Sequence, residues 1–128
     1  MDEKYLKKLV DEPERISNLN FEDLSEIFSH AAKEFKTEPP LIDLSVNDDE
    51  QAILIGDIHG HLETLKRLLE IVRKEEPKHV IFLGDIVDRG NSQLECLVIV
   101  SSLKILEPKK VILIKGNHET LEMNRSYG

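Results

Sequence analysis

Ala52-Ile53-Leu54-Ile55 runs directly into Gly56-Asp57-Ile58-His59-Gly60, and how this stretch is read decides the fold. Four apolar residues of strand-forming type, closed by a glycine and then by polar side chains, read as a buried strand that ends in a functional turn. The same grammar recurs twice downstream. Val80-Ile81-Phe82-Leu83 runs out into Gly84-Asp85-Ile86-Val87-Asp88-Arg89-Gly90, and Val111 to Ile114 runs out into Gly116-Asn117-His118-Glu119.

Between these strands the apolar spacing turns helical, over Leu62 to Val72 and over Leu94 to Ile105. Both helical stretches stop near a Glu-Pro pair, Glu76-Pro77 and Glu107-Pro108, as expected where proline cannot continue a helix. The unit reads as βαβαβ, an α/β architecture. Helical crossovers make the three strands parallel and put their C-terminal ends on one edge, where open α/β sheets bind ligands. The strands lack polar alternation, which predicts a sheet covered on both faces, by helices or by a second layer.

Working outward to the N-terminus, Leu24, Ile27, Phe28, Ala31 and Phe35 recur at helical spacing, with Asn20 as the cap. Tyr5, Leu6, Leu9 and Val10 predict a shorter helix that stops before Pro13. Pro39-Pro40 ends the long helix, Leu41 to Leu44 reads as extended, and Asn47 to Glu50 as a turn. Two regions follow: a helical segment over 1–50 that packs on the rest, and the βαβαβ unit over 51–128.

The chain carries 17 Lys and Arg against 25 Asp and Glu, a net charge of −8 over 128 residues. That balance argues against coating nucleic acid. Its apolar runs are far shorter than the roughly twenty residues a membrane span needs, and Met1 leads into charged residues without a signal-type stretch, so a cytoplasmic protein is expected. Cys96 is the only cysteine. An intrachain disulfide is therefore impossible, and its helical position predicts plain core packing.

The chemistry concentrates in the three clusters. Asp57 and His59 are two apart, so in an extended segment both side chains can grip one cation. Asp85 on the neighbouring strand can bridge two cations, and the amide oxygen of Asn117 can complete the second. Mixed Asp, His and Asn ligation without sulfur suits manganese, iron or zinc. Two such ions about 3.5 to 4 Å apart generate hydroxide and hold the attacking and leaving oxygens of a phosphoester in line. Arg89 offers a planar fork of donors to phosphate, His118 can protonate the departing alkoxide, and Asp88 can orient and charge His118. Each cluster alone has a plain reading: a turn, a surface ion pair, a helix cap. Their joint placement after three consecutive strands favours a site.

The other histidines read differently. His79 precedes its strand, so about five residues of strand, on the order of 17 Å, separate it from Asp85 and put it at the wrong edge. His30 reads as surface or partial core, and His61 as packing at a helix start. The mixed charges of Glu70 to Lys78 read as a solvated face.

The three clusters resemble the successive motifs of the calcineurin-like metallophosphoesterases, and specifically those of the PPP family of serine/threonine phosphoprotein phosphatases. The long second cluster carries most of that likeness. Glu38-Pro39-Pro40-Leu41-Ile42-Asp43-Leu44 is similar to the family's Pro-x-Leu-x-x-Leu run, and Asn124-Arg125-Ser126-Tyr127-Gly128 to its Asn-Arg-x-Tyr-Gly sequence, so the resemblance spans about Leu24 to Gly128.

The resemblance implies a metallophosphoesterase-type sandwich of which this chain holds the N-terminal half. It implies Asp57 and His59 on the first of two divalent metal ions (Mn, Fe or Zn), a bridging Asp85, and Asn117 on the second ion and near phosphate. Arg89 would hold phosphate, with His118 as acid and Asp88 as its partner. The substrate would be a phosphoprotein, with room for a regulatory subunit, and neither nucleic acid nor membrane is expected. His61 stands where Gln is usual, Ile86 where an aromatic is common, and Lys115 where Arg is usual.

The family's catalytic domain continues through two further metal-binding histidines and another arginine, so the isolated 128-residue chain is expected to bind metal poorly, to leave one sheet edge open and to turn over little. A dinucleoside tetraphosphatase of the same superfamily and a non-catalytic fragment are the alternative readings.

Overall fold

The computed structural model describes residues 2–38, 45–56, 58, 60–84 and 92–114. The first helix, α1 (Glu3–Asp11), begins where the Asp2 carboxylate accepts from the Lys4 N–H at 3.0 Å, and it ends before Pro13. A 3-10 helix over Pro13–Asn18, not anticipated from the sequence, carries the chain on to α2 (Phe21–Lys36). Proline suits a first helical position, and the fully buried Ile16 anchors the turn in the core.

Asn20 caps α2 as expected. Its side-chain oxygen accepts from the Asp23 N–H at 2.8 Å, and the Asp23 carboxylate answers the Asn20 N–H at 3.5 Å, a capping box. The residues 41–44 expected to be extended lie outside the described residues. Asn47 to Glu50 forms the expected turn, closed by Glu50 N–H to Asn47 O at 2.9 Å.

The βαβαβ unit follows as β1 (Ala52–Ile55), α3 (Leu62–Glu75), β2 (His79–Phe82), α4 (Gln93–Leu106) and β3 (Val111–Leu113). The sheet order is β1-β2-β3, parallel throughout, with Ile55 beside Phe82 and Phe82 beside Leu113. Helix α3 runs a turn beyond Val72 because Arg73 and Lys74 are good helix formers. Its stop is Glu76, in the left-handed region at φ 47°, followed by Pro77.

That conformation costs an L-residue about 1 to 2 kcal/mol and costs glycine almost nothing. Glu76→Gly is therefore expected to raise unfolding stability by about 0.5 to 1 kcal/mol in urea titration, after subtracting glycine's extra unfolded-state entropy. A loss of stability would show that the glutamate side chain outweighs the backbone strain.

Helix α4 is the centre of the molecule. It packs against α1, the 3-10 helix and α2, and also meets α3 and β3. Cys96, Val98, Ile99 and Val100 are all buried, which is why its apolar residues run round the helix instead of along one stripe. Cys96 is a free thiol, pushed up to about 11 by burial and then by Glu95, which leaves almost no reactive thiolate near neutral pH. Its predicted role in core packing stands. The Tyr5 hydroxyl of α1 is also raised, by burial and then by the negative charges of Asp23 and Glu26 on α2.

Among the described residues the two faces of the sheet are covered unequally. Register places Ile53, Ile55, Val80, Phe82, Val111 and Leu113 on one face of the sheet, and of these Ile55, Val80, Phe82 and Val111 are buried. On the other face Leu54, Leu83 and Ile114 keep 61%, 38% and 49% of their surface exposed, although Ile112 on that face is buried. The physical reason is topological: right-handed crossovers in a 1-2-3 order carry both connecting helices to the same side. An unalternating strand shows that both of its faces are apolar. It does not show that the two faces are equally covered.

No helix among the described residues is long and apolar enough to cross a membrane.

Candidate functional site

Asp57, His59, Asp85, Asp88, Arg89, Asn117 and His118 all lie outside the described residues. What the structure fixes is the frame from which their segments depart. Beyond the last paired strand residues the ladder continues on both sides of β2: the Leu83 N–H donates to Ile55 O at 2.9 Å, and the Ile114 N–H to Phe82 O at 2.8 Å. All three strands thus reach the same edge together. Asp57 follows Ile55 by two residues in sequence, Asp85 follows Leu83 by two and Asn117 follows Ile114 by three, and the described ends of the three strands lie side by side at one edge.

The roots of the first two clusters are tied to each other. Ile58, between Asp57 and His59 in sequence, is buried in the core. Gly60 turns the chain with φ 73°, and its carbonyl accepts the N–H of Ser92 at 3.0 Å, linking the end of the first cluster to the residue that opens α4. Gly84, at φ 94°, makes the turn off β2 that the sequence suggested, in a conformation suited to glycine. Gly56 is different. It has no left-handed φ, and a Cβ placed there would meet nothing within 4 Å, so the turn off β1 does not itself demand glycine.

The remaining histidines divide. His79 is the first residue of β2 and not the residue before it, paired with Ala52 at the far end of the sheet from Gly84, the end where the sequence puts it. His30 sits half-buried on α2 with Glu34 at 3.8 Å. His61 precedes α3, makes no side-chain cap bond and is exposed, so the expected packing at the helix start is corrected: Ile58 and Leu62 fill that place instead. The Glu70 to Lys78 run is mostly solvent-facing, as expected, apart from Val72 and Pro77.

Among the described residues no three His, Cys, Asp or Glu side chains gather as metal donors. The donor set expected from the sequence, two carboxylates, an imidazole and an amide oxygen, would fit a divalent transition ion by its chemistry. The residue missed in the sequence is Lys104. It is fully buried in α4, with Nζ on the carbonyls of Pro108 and Val111 and on the carboxylate of Glu38. One signal was available: within α4 only Glu95 and Lys104 carry charge, and Lys104 stands in an otherwise apolar run.

Comparison with known proteins agrees with this frame. Residues 51–128 match the family Calcineurin-like phosphoesterase. The chain is 39% identical over 105 residues to serine/threonine-protein phosphatase T of Saccharomyces cerevisiae, a match covering 80% of this chain and 20% of that one. It is 30% identical over 125 residues to serine/threonine-protein phosphatase 5 of Solanum lycopersicum, covering 97% of this chain and 22% of the relative. A solved protein serine/threonine phosphatase from Saccharomyces cerevisiae, described as similar to human phosphatase PP5, superposes with a TM-score of 0.80 at 32% identity. That superposition covers 100% of this chain and 42% of the other. The chain thus spans about a fifth of the length of those two relatives and under half of the solved one. With its parallel βαβαβ frame and more than half its length matched, the chain belongs to the calcineurin-like phosphoesterase family.

Proposed function

We propose that this chain carries the first part of the catalytic site of a metal-dependent serine/threonine phosphoprotein phosphatase. Residues 51–128 would form the first half of its catalytic domain, and residues 1–50 a helical segment packed against it. The observation that supports the reading is the in-register end of β1, β2 and β3 at one edge, since in sequence each of the three polar clusters follows directly on one of these strands. The named phosphatases among its relatives support the choice of a phosphoprotein as substrate.

In this reading Asp57, His59, Asp85 and Asn117 hold two divalent ions, of manganese, iron or zinc. When bound, the ions supply activation of water and charge neutralisation at the phosphoryl group. Arg89 forms paired hydrogen bonds to the phosphate oxygens and fixes the phosphoester relative to the edge, with Asn117 contributing its amide. His118 gives a proton to the departing serine or threonine oxygen. Asp88 accepts from the other ring nitrogen of His118, which sets the tautomer and favours the protonated imidazole.

A free, buried Cys96 suits a reducing compartment, and we place the protein in the cytoplasm, with a regulatory subunit as partner and no nucleic acid.

The test compares substrates on the native protein that bears these residues, assayed with manganese. A phosphoserine peptide is expected to be hydrolysed at least about tenfold faster than diadenosine tetraphosphate, and chelation of metal is expected to abolish both activities. Preference for the dinucleotide would move the protein to a dinucleoside tetraphosphatase. Activity that survives chelation would end the metal-dependent reading.

A further inference from the structure

Among the described residues Lys104 is the one charged side chain with no exposed surface. A buried ammonium is tolerated only when its charge is paired and its three protons have acceptors. Here the acceptors come from three segments. Pro108 O and Val111 O each lie 2.8 Å from Nζ, and the Glu38 carboxylate forms the ion pair. The ring of Phe35, on α2, stands 5.3 Å from Nζ, within cation-π range.

The carbonyl of Val111 explains why a lysine belongs there. The ladder between β2 and β3 uses Lys110 O, which accepts from the Val80 N–H at 2.9 Å, and the Ile114 N–H, which donates to Phe82 O at 2.8 Å. In a parallel strand the residue between such positions turns its polar groups the other way. The Val111 N–H is taken by Glu107 O at 3.0 Å, and its carbonyl is taken by Lys104. Both polar groups on the outer edge of β3 at Val111 are therefore satisfied from α4 and the turn that follows it, which also closes that position to strand addition.

We infer that Lys104 is a positioning residue that couples the N-terminal helical segment to the strand leading into the third polar cluster. One ammonium is shared by Glu38, two residues beyond the end of α2, and by Val111, the first residue of β3. Removing the counter-charge at one end loosens the hold at the other. The coupling does not depend on what the clusters bind.

The test uses Glu38→Gln in the full chain, because Lys104→Met would strip a donor from three acceptors at once and endanger folding. Amide hydrogen exchange is read by NMR. The Val80 and Ile114 amides report the β2–β3 ladder, and the Leu83 amide, which donates to Ile55 O, reports the β1–β2 ladder. Coupling predicts that Glu38→Gln speeds exchange at Val80 and Ile114 by about tenfold or more and leaves Leu83 within about twofold. Equal acceleration at all three amides would reduce Lys104 to a general stabiliser and overturn the inference. No acceleration at Val80 and Ile114 would overturn it as well.

Discussion

Phe82→Ala is expected to lower the unfolding free energy by about 3 to 5 kcal/mol. Phe82 lies in β2, the middle strand, with Ile55 beside it on one side and Leu113 on the other, and it has no exposed surface. Its ring belongs to the same buried cluster as Leu65, Cys96 and Ile99, so truncation removes the contacts of a whole ring from the core-facing side of the middle strand. Backbone pairing on both sides limits how far the strand can move to close the cavity, which places the cost toward the upper part of the range. Typical domains are stable by only about 5 to 15 kcal/mol, so a large share of the folded state's margin would go.

The measurement is urea unfolding followed by circular dichroism, with Leu54→Ala as the control. Leu54 is in β1 on the opposite face and 61% exposed, and its truncation is expected to stay within about 0.5 kcal/mol of the parent. A cost below about 1 kcal/mol at Phe82, or equal costs at the two positions, would mean that the face identified as the core is not the core.

The contrast between those two residues also marks how far the fold could be read in the sequence. Asn20, Pro13 and Pro77 announce helix ends through chemistry that is local to a few residues, and α1, α2 and the α3 stop follow from them. The β1-β2-β3 order and parallel register follow from two helical crossovers of ordinary length. Which face of the sheet is covered is a nonlocal matter, and Leu54 and Phe82 look alike in a string of apolar residues. Lys104 escaped for the same reason, since its partners Glu38 and Val111 come from separate elements. At the candidate site the residue types were legible because a glycine followed at once by a metal-capable side chain recurs after each strand, as Asp57, Asp85 and Asn117. The structure bears out the common edge of the strands and the turn at Gly84, adds the Gly60–Ser92 tie, and removes Gly56 from the glycines that the turn requires.

His118→Asn should separate proton donation from every other contribution to the proposed reaction. Protonating an alkoxide leaving group from a positioned side chain is worth about 10² to 10⁴ in rate. The departing oxygen of phosphoserine needs that proton, whereas the oxygen of p-nitrophenyl phosphate leaves readily without it. The variant, made in the native protein, is therefore expected to lose about a hundredfold or more in turnover of a phosphoserine peptide and much less with the aryl ester. Asp88→Asn should show the same leaving-group dependence in weaker form, and adding it to His118→Asn should cost little more, because the two residues act as a unit. Asp85→Asn should depress both substrates alike, since in the proposed reading it would remove a metal ligand and not a proton donor, and metal content would fall with it. Equal losses on alkyl and aryl substrates in His118→Asn, with metal retained, would take the acid role away from His118 and leave it a binding residue at the edge where β3 ends.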